Sequence, residues 1–236
     1  MSDRDTLRLS FDTVAEVYER SRPQYAPASV DWIAARLPLV DVLDLGAGTG
    51  KFTRQLSAVA AHVIAVEPGD EMRRILERIA PHLDVRAGSA EAIPLADGSV
   101  DAVTVAQAFH WFDMDAALAE MHRVLRPGGG IALLWNEWEN QFDELVEPLR
   151  PRPAEGHDPN AQLLATSFFA RFEERTFPHE DRVDADLVVE RLSSISAVIA
   201  ASPDERDRVL AQARTLVGDG TIRFEMVTRV IAADRV

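Results

Sequence analysis

Three glycines stand at alternate positions in the stretch LDLGAGTGK, residues 43–51, with Asp44 ahead of them and Lys51 behind. A glycine-rich turn between an apolar run and a helix-like stretch lets backbone N–H groups approach a ligand closely, because no Cβ intervenes. Two phosphate-binding patterns fail here on one or two defining residues. A dinucleotide GxGxxG beginning at Gly46 needs glycine at position 51, where Lys51 stands. A GxxxxGK[ST] loop needs glycine at 45 and Ser or Thr at 52, and the chain has Leu45 and Phe52. Asp44 would also repel a pyrophosphate, whereas it suits an ammonium group.

Such a loop needs a strand before it and a helix after it. From 40 to 136 the sequence supplies that pair repeatedly. VDVLDLG, AHVIAVE, LDVRAG, VDAVTVAQA and GIALLWN read as strands. KFTRQLSAVA reads as a helix with Phe52, Leu56 and Val59 inward. DEMRRILERIA follows with Met72, Ile75, Leu76 and Ile79 inward, stopped by Pro81. DMDAALAEMHRVL has Asp113 as N-cap, with Leu118, Met121 and Leu125 inward, and RPGGG ends it as a structural turn. Strands alternating with helices predict an α/β fold with a parallel sheet covered on both faces. Right-handed crossovers then give a doubly wound three-layer α-β-α sandwich.

Outside that core the signals change. FDTVAEVYERS, residues 11–21, predicts a helix with Phe11, Val14 and Tyr18 on one face, ending near Arg22 because Pro23 disfavours helix before it. A second helix is expected over 27–36. After 140, QFDELVEPLR reads helical, PRPAEGHDPN as loop and AQLLATSFFA as helical again. Strand character follows around residues 172–177, then two helices, ADLVVERLSSISAVIA and PDERDRVLAQARTLV. TIRFEMVTRVIAADR alternates as a closing strand, with Ile222, Phe224, Met226 and Thr228 on one face.

Composition narrows the function classes. The 236 residues carry 25 basic and 39 acidic side chains, a net charge of −14. Arginines sit singly among acids, so neither nucleic acid nor an anionic membrane is an expected partner. The absence of cysteine removes disulfides, zinc-thiolate sites and thiol nucleophiles. The histidines at 62, 82, 110, 122, 157 and 179 lack metal-ligand spacing, so no metal is expected. MSDRDTLRLS has no apolar signal core and no run reaches membrane-span length, which points to a soluble, cytoplasmic protein. Only Lys51 among the basic residues is lysine; that and abundant alanine suggest a GC-rich bacterial source.

Asp44-x-Gly46-x-Gly48-x-Gly50 resembles the first motif of the class I S-adenosylmethionine-dependent methyltransferases, and the resemblance extends over residues 1–136. EPGDEM at 67–72, AGSAEAIPLADGSVDAV and EMHRVLRPGGGIALLWN match the family's later segments. The resemblance implies one domain over 1–236. Its parts are a helical lid (1–36), a cofactor-binding core (40–136), acceptor-side insertions (140–217) and a closing strand (221–234). It implies a Rossmann-like, mostly parallel seven-stranded sheet with an antiparallel last strand and helical cap additions. S-adenosyl-L-methionine is the implied cofactor and S-adenosyl-L-homocysteine the product. The implied cofactor residues are Asp44, Gly46, Ala47, Gly48, Thr49 and Gly50 in the loop, Glu67 on the ribose hydroxyls, Pro68 shaping the turn and Met72 near the adenine. Ser89, Ala90 and Glu91 follow, Ser89 replacing the family's usual Asp, then Ala106 and Gln107. FDTVAEVYERSRPQY resembles the lid of a subgroup that includes trans-aconitate-methyltransferase-like proteins, with Tyr18 and Arg22 toward the cofactor carboxylate.

Methyl transfer from a sulfonium is an in-line displacement, so alignment and exclusion of water matter most. A general base is needed only for a poorly acidic O–H or N–H acceptor. His110, in QAFHWF after the fourth strand, is the candidate base; Trp111 and Phe112 would wall the pocket. The expected partner is a small-molecule acceptor offering an O, N, C or carboxylate nucleophile, and the expected assembly a monomer or homodimer. Trp135, Trp138, Phe142, Phe168 and Phe169 are candidates for an apolar acceptor pocket, and Arg150, Arg152 and Arg171 for a carboxylate. Two rival readings stay open: a cofactor-binding protein without transferase activity, and a nicotinamide-dependent oxidoreductase, the latter disfavoured by Lys51.

Overall fold

Continuous apolar runs broken by amphipathic helices fold, in the computed structural model, into a seven-stranded sheet with helices on both faces. The structure describes residues 11–138, 142–150 and 159–236, without the side chains of residues 138, 159 and 160. The expectations for residues 1–10, the 151–158 loop, Arg152, His157 and the Trp138 side chain lie outside the described residues.

The strands are β1 (Asp41–Leu45), β2 (His62–Glu67), β3 (Asp84–Ala87), β4 (Val100–Ala106), β5 (Leu125–Trp138), β6 (Phe169–Asp184) and β7 (Thr221–Arg235). Their order across the sheet is β3-β2-β1-β4-β5-β7-β6. β1 to β5 pair in parallel, and β7 runs antiparallel between β5 and β6. This is the Rossmann-like arrangement with its chain reversal in the last strand. The order changes direction between β1 and β4, which opens a crevice above their carboxyl ends.

The two faces of β1 explain the layers. Val42 packs with Val30 and Ile33 of α2 (Pro27–Arg36) and with Phe52 and Leu56 of α3 (Lys51–Leu56). Leu43 and Leu45 face the other way, onto Leu118 and Met121 of α5 (Met114–Val124). Asp113 caps α5, its Oδ1 accepting from the Ala116 N–H, a contact of about 1 kcal/mol. Between them in sequence, α4 (Asp70–Ile79) packs Leu76 on Ala65. The chain begins with a 3-10 turn (Phe11–Val14) leading into α1 (Ala15–Ser21), which ends at Arg22 before Pro23.

Beyond the sheet, a separate apolar cluster holds the cap. It joins α6 (Asp143–Val146), α8 (Ala185–Ser193), α9 (Ser196–Ala200) and α10 (Pro203–Val217) to Phe224 and Met226 at the start of β7. α7 (Pro159–Ala165) instead packs Leu163 on the α5 side.

Six local readings change. α3 stops at Leu56, so Val59 lies beyond it at 41% exposed. Ile79 ends α4 at 40% exposed, outside the buried stripe of Met72, Ile75 and Leu76. RPGGG is no separate turn: it lies within β5, where a register shift opposite Val100 and Ala102 and the positive φ of Gly128 absorb the bend. The helix expected from 185 to 200 breaks at Ser194 and Ile195, and β6 runs 16 residues rather than six. In QFDELVEPLR only Asp143–Val146 is α-helical, followed by a 3-10 turn, Glu147–Leu149.

Candidate functional site

The glycine loop leaves β1 in left-handed backbone, with φ of +71° at Gly46, +57° at Gly48 and +81° at Gly50. A Cβ on Gly50 would stand 2.1 Å from Leu76 Cδ1, so this glycine lets α4 close against the loop. The loop is tied to β2 by one side chain. Glu67 Oε2 accepts from the Gly48 N–H at 2.9 Å and its Oε1 from the Gly69 N–H at 2.8 Å. Burial pushes the Glu67 carboxyl above its ordinary range, with the two N–H groups working against that shift.

Asp44 lies below the loop and not on the cavity wall. It is 1% exposed, and its oxygens accept from Thr53 Oγ1 at 2.6 Å and Thr104 Oγ1 at 2.9 Å. Burial raises its pKa to about 6, against those two hydrogen bonds. Asp44 therefore reaches the cavity only through its field, not through contact. Thr49 also turns away: its hydroxyl donates to Glu19 of α1 at 2.6 Å, and Arg54 holds the same carboxylate at 2.7 Å. Ala47 packs behind the loop with Leu76.

A narrow, largely apolar cavity opens at the crevice between β1 and β4. The loop contributes Leu45, Gly46 and Gly48; the end of β2 and start of α4 contribute Glu67, Pro68, Gly69 and Met72. Gly88, Ser89 and Ala90 after β3 close one end, and Ala106, Gln107, Ala108, Trp111 and Phe112 after β4 the other. Phe11, Asp12 and Tyr18 from the N-terminal segment cover it. Of the expected cofactor residues, Tyr18, Gly46, Gly48, Glu67, Pro68, Met72, Ser89, Ala90, Ala106 and Gln107 thus share one cavity. Asp44, Ala47, Thr49 and Gly50 support it from behind, and Glu91 serves structure by accepting from the Asp113 N–H at 3.0 Å.

Gln107 holds the junction. Its backbone is left-handed at φ +59°, a conformation that a non-glycine residue keeps only where surroundings enforce it. Here the Gln107 N–H donates to Leu134 O and its Nε2 to Asn136 O, both at 2.9 Å. Gln107 therefore faces the main cavity, a small side chamber and an outer cleft. The chamber also holds Tyr18, Lys51, Arg22 and Asn136. Arg22 donates to Ser194 Oγ at 2.9 Å and Ser194 O at 2.7 Å and lies 5.2 Å from the Tyr18 ring centre. No carboxylate pairs with it among the described residues, and burial lowers its pKa.

His110 is not in the cavity. It sits exposed on the outer cleft, its ring 4.9 Å from that of Trp111, across from Arg150 and Ser196 of the cap. Among the described acceptor-side candidates, Arg150 alone lines this cleft; Phe142 is cap core, Phe169 sheet core, and Arg171 pairs with Asp234 at 2.5 Å. Sequence reasoning missed Asp12, Gly69, Gly88 and Ala108. Gly69 lay in the quoted EPGDEM, yet only its neighbours in space show what it does. Among the described residues, no three His, Cys, Asp or Glu form a metal-holding group, and no helix is long and apolar enough to cross a membrane.

Comparison with known proteins agrees with this fold. A methyltransferase-domain family model matches residues 43–133. An uncharacterised methyltransferase of Mycobacterium tuberculosis is 44% identical over 162 residues, 63% of this chain and 65% of that protein. The match thus spans less than two-thirds of the mycobacterial relative's length. A methyltransferase-like protein of Schizosaccharomyces pombe is 35% identical over 217 residues, covering 86% of this chain and 84% of its own. The solved structure of a provisionally assigned type II methyltransferase from Anaeromyxobacter dehalogenans superposes with a TM-score of 0.68 at 28% identity, over 90% of this chain and 97% of that one. The chain belongs to the class I S-adenosylmethionine-dependent methyltransferases.

Proposed function

We propose that this chain is a methyltransferase working as one unit of strap, core and cap, which binds S-adenosylmethionine in the cavity above β1 and β4 and methylates a small molecule held in the outer cleft. The observation that carries this reading is the placement of Glu67. A buried carboxylate, tied to the glycine loop and to the start of α4, stands on the cavity wall, where it can accept from a ribose diol. Met72, Ser89 and Ala90 bound the adenine end. At the other end Arg22, without an acidic partner among the described residues, is available to the cofactor carboxylate beside Tyr18.

The bound cofactor supplies an already activated methyl group on a sulfonium. The chain's own residues then have three tasks. Gly46, Gly48 and Glu67 fix the cofactor's orientation; Phe11, Trp111 and Phe112 keep water from the reacting centre; Gln107, at the common boundary of cavity and cleft, separates the two ligands. His110 lies on the acceptor side and is assigned to proton removal where the acceptor needs it.

The test is a screen of fractionated metabolite extract with methyl-labelled S-adenosylmethionine. Transfer of label with matching formation of S-adenosylhomocysteine supports the reading. Calorimetric binding of the cofactor with no labelled product from any fraction favours a binding protein without transferase activity. Binding of NAD in place of S-adenosylmethionine overturns both.

A further inference from the structure

Residues 11–21 form a strap that crosses the cavity and lies along α4. Ala15 packs on Met72 and Ile75, with Phe11 and Tyr18 at the margin. Phe11 meets the rings of Tyr18 and Trp111 edge-on, at 6.0 and 5.9 Å, and so forms the outer wall of the cavity. One polar contact fixes where that wall stands.

α4 starts after Gly69, an N-cap with no side chain to offer its orphan N–H groups. Asp12 supplies the missing acceptor from the strap: its Oδ1 accepts from the Met72 N–H at 3.3 Å. Met72 is the third residue of the helix, the position an N-cap side chain normally serves. Gly69 makes this possible. Its φ is −75°, so the backbone does not demand glycine. The space matters instead: a Cβ there would lie 2.5 Å from Asp12 Oδ1 and 3.1 Å from Glu67 Oε1, so a side chain at 69 and the Asp12 carboxylate in its present place exclude each other. Thus the missing side chain both leaves the helix uncapped and opens the gap that Asp12 fills.

We propose that Asp12 caps α4 in place of Gly69 and thereby clamps the Phe11 wall over the cofactor, as a positioning residue for cofactor binding. The proposal rests on the cofactor reading of the cavity. Asp12 and Glu67 crowd the same glycine, and the Asp12 charge adds to the forces raising the Glu67 carboxyl. The clamp is therefore held against a repulsion, which keeps it releasable when the cofactor enters or leaves.

The test compares wild type with Asp12→Asn, Asp12→Ala and Gly69→Ala. The readouts are hydrogen exchange at the Met72 amide without ligand and calorimetry with S-adenosylhomocysteine. Asn keeps an acceptor oxygen and should preserve both readouts. Asp12→Ala should speed Met72 exchange and weaken binding about fivefold, the factor equivalent to a cap of roughly 1 kcal/mol. Gly69→Ala leaves Asp12 in the chain but expels its carboxylate, and should behave the same way. Unchanged exchange in Asp12→Ala overturns the cap. Faster exchange with unchanged affinity overturns the clamp. Equal losses in Asn and Ala would trace the effect to charge and also overturn it. A wild type that fails to bind S-adenosylhomocysteine refutes the cofactor reading instead, while the exchange result still judges the cap.

Discussion

Replacing Asp44 with Asn should shift the stability of the ligand-free protein in a pH-dependent way. Asp44 is 1% exposed, and burial lifts its carboxyl from 3.8 to about 6. Such an acid holds its proton more tightly in the folded state. Between the two values the unfolded chain has released the proton and the folded chain keeps it. Stability is therefore lost as pH rises through this window, and is level above it. A gap of about two pKa units corresponds to about 3 kcal/mol of lost stability at neutral pH. Near pH 4.5 about 1 kcal/mol of this is already gone, and near pH 7.5 almost all of it. Asn does not titrate. Its carbonyl accepts from one of the two threonine hydroxyls, and the other must turn to accept from the amide, a cost common to every pH. The difference between Asp44→Asn and wild type should thus move by about 2 kcal/mol in favour of Asn from pH 4.5 to pH 7.5. Urea unfolding at both pH values measures it, provided the slope is unchanged between variants. A difference that stays flat, or moves the other way, refutes the burial account of Asp44.

Other substitutions probe the site directly. Glu67→Gln leaves one of the Gly48 and Gly69 N–H groups facing an amide NH2, and should weaken S-adenosylhomocysteine by about 1.5–3 kcal/mol, roughly 10- to 100-fold, in calorimetry; unchanged affinity would remove Glu67 from the cofactor site. Gly50→Ala places a Cβ 2.1 Å from Leu76 in left-handed backbone and should cost about 2–4 kcal/mol in thermal unfolding. An unaltered midpoint would mean that α4 yields easily. His110→Gln should lower turnover by about 10²–10⁴ and flatten its pH profile. Retained turnover across pH would leave His110 as a wall of the cleft only.

Much of this fold is written in local pattern. The strands that become β1, β2 and β4 are apolar on both faces, and Pro23 and Asp113 mark helix ends by their own chemistry. Four of the five segments that build the main cavity are adjacent to recognisable strand ends, which is why most of its lining was legible. The departures have tertiary causes. Val59 and Ile79 continue an apolar stripe in sequence, but Val59 lies beyond the end of α3 and Ile79 is the last residue of α4, and both are exposed. Arg22 is held by Ser194, 172 residues away, and Asp12 by an amide 60 residues away. No spacing rule reaches across such distances. Gly69 illustrates the limit: as sequence it reads as a turn residue, and only the approach of the strap shows why a side chain is excluded.

Lys51, which first separated this loop from the nucleotide-binding patterns, also makes the protein chemically addressable. It is the only lysine in the chain, its side chain 11% exposed and its Nζ 4.0 Å from Glu19. It lines the chamber beside Arg22 and Gln107, and burial lowers its pKa, so more of it is unprotonated at a given mildly alkaline pH. An amine-selective acylating reagent therefore meets a single lysine target, next to the place assigned to the methionine end of the cofactor. The extent of labelling becomes a mass-spectrometric gauge of chamber occupancy, with the native sequence as its own reporter.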